Sequence, residues 1–269
     1  MRAAGGQEKE SSSMPLDSST LEREPYDRVL VLGDPHIGKS TSVISSATRA
    51  FGPGYVFNCG KKTGGLEAAR QCRFTLDHIR DEPQMEDAIK EARRGCKDGT
   101  YKWIVLDDFT LYAHWLEGAL EDQTRNQKGE ADGRRWWREY TKRLLNIVIR
   151  CFDMKGHFYC ICHYVETGSG LIEGQTEKTG HGVLPLFGGA ARKLIPAEFA
   201  NTVFMAQGSR DLSKRSFFIN PIGVYGPSCL DIMGTREINA DVGVLHEEFK
   251  KASKPDQVTK SEKRPSNRK

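Results

Sequence analysis

The segment Val29–Ser40, VLVLGDPHIGKS, limits what this chain can become more than any other. Four consecutive apolar residues, Val29 to Leu32, read as a strand buried on both faces of a parallel sheet. They run into Gly33–Ser40, which carries Gly, four residues, Gly, Lys and Ser, the spacing of a phosphate-binding loop. Lys39 to Phe51 then has a helical pattern, closed by Gly52, Pro53 and Gly54. Strand, glycine loop and helix in that order aim backbone N–H groups and the positive end of the helix dipole at one spot, which suits a di- or triphosphate. Gly38 lets the backbone approach the phosphates, Lys39 reaches their oxygens, and the Ser40 hydroxyl offers Mg²⁺ an oxygen ligand. The candidate nucleotide-binding residues are Gly33, Asp34, Pro35, His36, Ile37, Gly38, Lys39, Ser40 and Thr41. A chance match in an ordinary turn would lack the flanking strand and helix.

A site of this kind needs a carboxylate on a neighbouring strand, and Trp103–Asp108, WIVLDD, supplies two. Asp107 ends the buried run, where open α/β sheets gather ligand groups, and is the metal candidate beside Ser40. Asp108 either orients an attacking water or caps the helix that follows. His163 ends the next apolar run and faces the same crevice, as a sensor of the terminal phosphate or as a histidine satisfied locally at a strand end. Lys39, Asp108 and His163 are thus the catalytic candidates. Cys160, Cys162 and His163 do not make a zinc site, because no second ligand pair stands at finger or ribbon spacing. Trp136, Trp137 and Tyr140 fall within an amphipathic stretch and read as helix packing.

Further strands are expected at Tyr55–Asn58, Cys72–Leu76, His157–Cys162, Asn201–Ala206 and Ser216–Val224, with Pro221 at an edge or turn. Helices are expected over Met85–Arg94, Leu111–Leu120, Asp132–Met154 and Ala190–Phe199. Strand and helix alternate with connections too long for hairpins, so the fold class is α/β on a mostly parallel sheet. Tyr164–Leu184 holds five glycines and little apolar content, and reads as a long functional loop. Residues 1–25 are poor in large apolar groups and are expected to be a disordered lead; 26–247 form the domain, and 248–269 a basic tail. The net charge is +4, yet Lys250–Lys269 alone holds eight Lys or Arg against two acids, leaving the body slightly negative. Such a tail either attracts nucleic-acid phosphates or serves as a solvated end. No run reaches the roughly 20 apolar residues of a membrane span, and the 7 cysteines are odd in number, unlike a secreted disulfide framework; a reducing cytoplasm is expected, and no membrane partner.

The order of these parts resembles the RecA-like P-loop ATPases, and more closely the compact phage-type nucleotide-binding proteins associated with recombination and single-strand annealing. The resemblance covers Tyr26 to Val244 and rests on GDPHIGKS, the strands ending at Asp107 and His163, and PLFGGAARKLIPAEFANTVFMA before a terminal hairpin. It implies ATP and Mg²⁺ as cofactors, Lys39 and Ser40 on phosphate and metal, Asp107 supporting the metal, and His163 as sensor ahead of a DNA-facing loop with Lys178. It implies a homo-oligomer acting on single-stranded DNA, with a phage recombination or single-strand-binding protein as a possible partner, in the host cytoplasm if phage-encoded. One departure stands out: the family's catalytic glutamate slot after the second strand holds Gly60, in YVFNCGKKTGG. Either Asp108 takes over, or hydrolysis is slow and nucleotide acts as an assembly ligand. Lys214 and Arg215 are candidates for completing a neighbour's site, or are solvated hairpin charges. The rival readings are a non-hydrolysing nucleotide-dependent DNA-binding module and a P-loop small-molecule kinase.

Overall fold

A computed structural model of the chain describes residues 25–60, 66, 69, 71–123, 133–167, 182–199, 201–207, 214–219 and 236–252. The apolar run before the glycine loop is β1 (Arg28–Gly33), buried along its whole length, and the helix after the loop is α1 (Lys39–Phe51). Then follow β2 (Gly54–Asn58), β3 (Phe74–His78), α2 (Glu82–Asp98), β4 (Trp103–Asp107), α3 (Phe109–Gln123), α4 (Gly133–Phe152) and β5 (His157–Cys162). The chain continues through β6 (Tyr164–Thr167), β7 (Gly182–Pro185), α5 (Ala191–Glu198), β8 (Asn201–Gln207), β9 (Arg215–Ile219), β10 (Arg236–Asn239) and α6 (Val242–Ala252).

The protein is α/β, with an eight-stranded sheet in the order β10-β9-β8-β1-β5-β4-β2-β3. From β8 to β3 every pairing is parallel; β9 and β10 extend the β8 edge antiparallel. Side chains alternate along each central strand and so build two cores. Leu30, Leu32, Ile104, Leu106, Phe158 and Cys160 face the layer of α2, α3, α4 and α5. Val29, Val31, Val105, Tyr159 and Ile161 face α1 and α6. With helices on both faces the strands are apolar throughout, which is why they read as continuous runs rather than alternations.

Helix ends follow local chemistry. Asp81 caps α2 by accepting from Gln84 N at 2.8 Å, and Gly99 closes it in the left-handed region at φ 79°. Asp241 Oδ1 accepts from Gly243 N at 2.8 Å at the start of α6, whose Val242 N–H also donates to Ser46 Oγ at 3.0 Å. Trp136 and Trp137 stack at 3.9 Å on α4, and Trp137 packs edge-on against Tyr140, as helix packing requires.

Several expectations change. The third strand lies at Phe74–His78, two residues beyond Cys72–Leu76, where pairing with β2 starts opposite Gly54. Tyr164–Leu184 is not structureless: its ends pair antiparallel as β6 and β7, Tyr164 opposite Pro185. Glu248 to Ala252, counted with the basic tail, belong to α6, where Phe249 is buried in the core. The lead as far as Glu24, Lys178 and Pro221 lie outside the described residues. Among the described residues no helix is long and apolar enough to cross a membrane.

Candidate functional site

The carboxyl ends of β1, β5 and β4 lie side by side, with β5 in the middle. The chain leaves β1 to reach β2 on one side and leaves β5 to reach β8 on the other, so the crevice at which ligands bind open α/β sheets opens here. Gly33 ends β1 where a Cβ would stand 2.5 Å from the Met205 carbonyl oxygen of β8, so only glycine lets the two backbones run this close. Asp34, Pro35 and His36 form the exposed turn, with His36 at φ 63°, and Ile37 and Gly38 descend half-buried into α1. Gly38 sits at φ 94°, a conformation that side chains resist, and provides no side-chain cap. The first N–H groups of α1 therefore face the loop with the positive end of the helix dipole behind them.

Lys39 is buried, and its Nζ donates to the carbonyls of Gly33 and Asp34, each at 2.8 Å. Burial pushes the ammonium's pKa down, and the nearby Asp108 and Asp107 carboxylates partly restore it. Ser40 donates its hydroxyl to the Asp107 carboxylate, so the two predicted metal ligands are already in contact; Thr41 lies beside them in the first turn, half-buried. Asp107 is 8% exposed, and its carboxyl is raised to about 6 by burial; the Ser40 hydrogen bond opposes the rise, the Asp108 charge adds to it, and Lys39 and His163 oppose it.

Asp108 uses both of its oxygens. Oδ1 accepts from Thr110 N at 2.8 Å, capping α3, and Oδ2 lies 2.5 Å from His163 Nε2. The two roles weighed for Asp108, cap and active-site carboxylate, therefore share one side chain. His163 is placed by its own N–H, which donates to Thr110 Oγ1 at 2.9 Å, and by Leu186 N, which donates to its carbonyl at 3.0 Å. Its Nδ1 is buried without a hydrogen-bond partner among the described residues. Cys160 and Cys162 face each other at 3.8 Å between sulfurs inside the core, while the His163 ring turns to Asp108.

The described residues that end and follow β2, Asn58, Cys59 and Gly60, carry no carboxylate of their own: Asn58 Oδ1 accepts from Gly60 N at 3.1 Å, and its Nδ2 meets His78 Nδ1 at 3.1 Å. Arg215 is engaged in its own chain, with Nε donating to the Ile37 carbonyl of the glycine loop at 2.8 Å. Thr110, which positions His163, is no site candidate from the sequence, where Asp-Phe-Thr after a buried run signals only a helix start. Arg215 carries no sequence signal for its loop contact, because β9 reaches the loop only through antiparallel pairing with β8.

No family model and no curated protein matches the chain. Among solved structures, a KaiC-like protein from the hyperthermophilic archaeon Pyrococcus horikoshii is similar over 78% of this chain and 81% of that one, at 14% identity and a TM-score of 0.39. A likeness of that size decides nothing about the site, which stands on its own residues.

Proposed function

We propose that this chain is a RecA-like P-loop ATPase that binds ATP with Mg²⁺ at the carboxyl ends of β1, β5 and β4. The observation that carries the reading is the convergence there of Lys39, the Ser40–Asp107 pair and the Asp108–His163 pair. The donor set fits the ion: a hydroxyl and a carboxylate already in contact are hard oxygen ligands, and the carboxyl is held near a pKa of 6 by a burial that a cation would offset. Ser40 and Asp107 would hold Mg²⁺, which when bound neutralises phosphate charge.

The chain's own groups divide the remaining work. Lys39 exchanges two neutral carbonyl acceptors for anionic phosphate oxygens, a stronger charge-assisted pairing. The α1 amides receive the phosphates. Asp108, fixed at one oxygen by Thr110 and at the other by His163, orients the attacking water and accepts its proton, taking over from the glutamate whose slot Gly60 fills. His163 Nδ1 is the ring atom left to meet the terminal phosphate. Its backbone carbonyl holds Leu186 beyond β7, so a shift of His163 is passed to the β6–β7 ribbon.

We further propose that neighbouring copies share nucleotide and that single-stranded DNA is the partner, met by the segment between β6 and β7, which includes Lys178, and by the basic tail; the uneven charge of the sequence supports this part. The test is ATP turnover by the full chain with and without single-stranded DNA, beside Lys39→Ala and Asp108→Asn. DNA-stimulated turnover lost in both variants supports the reading. The pairing of Asn58 with Gly60 favours a second one, a nucleotide-dependent binding module, for which ATP binds tightly without turnover and Asp108→Asn changes nothing.

A further inference from the structure

At the opposite edge of the sheet, three side chains far apart in sequence meet: Asp27 just before β1, His157 at the start of β5, and His246 on α6. His246 Nδ1 lies 2.8 Å and His157 Nδ1 3.1 Å from one oxygen, Asp27 Oδ2, and the Asp27 N–H donates to His157 Nδ1 at 3.1 Å, a bond that an ion would replace. The three atoms fall within 4.8 Å of one another. Metal–ligand bonds of about 2.0–2.1 Å at tetrahedral angles place neighbouring ligand atoms about 3.3 Å apart, close to the two imidazole–carboxylate separations. The carboxylate is 1% exposed and the two imidazoles 10% and 13%, so water competes little for the ligand atoms.

We propose that Asp27, His157 and His246 bind one divalent ion of the zinc class. Two imidazole nitrogens and one carboxylate oxygen suit Zn²⁺ or Co²⁺ and disfavour Mg²⁺ or Ca²⁺, which take oxygen shells. Tyr159 places its hydroxyl 3.5 Å from the same oxygen, an outer contact of the kind that orients metal ligands. Phe51, the last residue of α1, stacks on the His157 ring at 3.8 Å between centroids, which brings the negative end of that helix to the cluster. A cavity of about 500 Å³ lined by Tyr26, Phe51, Lys102 and Lys155 reaches the His157 side of the cluster. The bound ion ties α6, and with it the start of the basic tail, to β1 and β5. Nothing in this site depends on the nucleotide reading.

The experiment titrates the metal-stripped full chain with Co²⁺ and reads the visible bands of the ion, beside His246→Asn and His157→Gln. The expected result is one equivalent bound with tetrahedral bands and no thiolate charge-transfer band, lost in each variant. Zn²⁺ at about 100 times its Kd then raises Tm by roughly 5–10 °C in the wild type and not in the variants. Absence of binding by the wild type overturns the site and leaves a hydrogen-bonded His–Asp–His network. Binding that carries the thiolate band, or that survives both substitutions, places the ion on cysteines and overturns it equally. Because α6 lies at the surface, His246→Asn decides the matter should His157→Gln not fold, with circular dichroism reporting the fold of each.

Discussion

Two buried aspartates mark the two edges of the same sheet and behave in opposite ways. Asp107 at the carboxyl edge is 8% exposed and raised to about 6, whereas Asp27 at the amino edge is 2% exposed and lowered to about 2. Burial pushes both upward, so the difference lies in their partners. Asp27 has two imidazoles aimed at one oxygen. Asp107 has a neutral Ser40 hydroxyl, while the adjacent Asp108 adds like charge and Lys39 is turned to the loop carbonyls. One edge balances its charge within the fold. The other leaves negative charge unbalanced where the nucleotide's cation is to arrive, so the two edges would take an ion on different terms: the carboxyl edge by gaining charge balance, the amino edge by replacing hydrogen bonds already made.

The largest expected effect tests the balanced edge. Asp27→Ala leaves two imidazoles without their shared acceptor and is expected to destabilise the protein by about 3–5 kcal/mol, a fall in Tm of roughly 6–20 °C for a domain of this size. A fall of only a degree or two, in melts near pH 7, would rank the cluster with surface ion pairs. Because the folded pKa of Asp27 lies below its unfolded value, its contribution is present above about pH 4 and is lost as pH falls towards 2. Next comes Lys39→Ala, expected to lower ATP turnover by roughly 10²–10³-fold while the melt stays intact, since the ammonium is itself costly to bury.

Asp107→Asn sharpens the contrast, because its sign is reversed. The folded pKa lies above the unfolded one, so stability is highest with the carboxyl protonated and declines as pH rises from about 4 to 6. The variant is expected to melt higher than wild type near pH 7, by at most about 3 kcal/mol, and equally below about pH 4, while Mg²⁺-dependent turnover is lost. A variant that melts lower near neutral pH would show that the Ser40 contact outweighs burial.

Much of the unbalanced edge was legible in the sequence, and little of the balanced one. Gly33–Ser40 is a local pattern whose spacing sets backbone geometry, and Asp107 and His163 end apolar runs, so strand ends in register bring them together. Asp27, His157 and His246 carry no spacing at all, since their meeting depends on parallel pairing of β1 with β5 and on where α6 docks. The pairing after His163 escapes the sequence for a related reason: β6 and β7 are four residues each, their glycine-rich connection hides the alternation, and the register shows only once both are placed. The end of α6 was hidden by charge, because Lys250 and Lys251 occupy its solvent side while Phe249 faces the core.

The smallest expected effect concerns Arg215, which links the antiparallel edge to the glycine loop. Its Nε donates to the Ile37 carbonyl of the same chain, so Arg215→Gln removes one hydrogen bond that shapes the loop. A bond of that kind contributes about 0.5–1.5 kcal/mol. The loop meets phosphate in ground state and transition state alike, so the loss should appear as a two- to roughly tenfold rise in KM for ATP with kcat nearly unchanged. An arginine that instead reaches a neighbouring copy's nucleotide acts on charge developing in the reaction, and its removal lowers kcat by about 10³-fold or more. Steady-state kinetics therefore separate the two: a KM effect keeps Arg215 on its own loop, and a large kcat effect that varies with protein concentration would move it across a subunit interface.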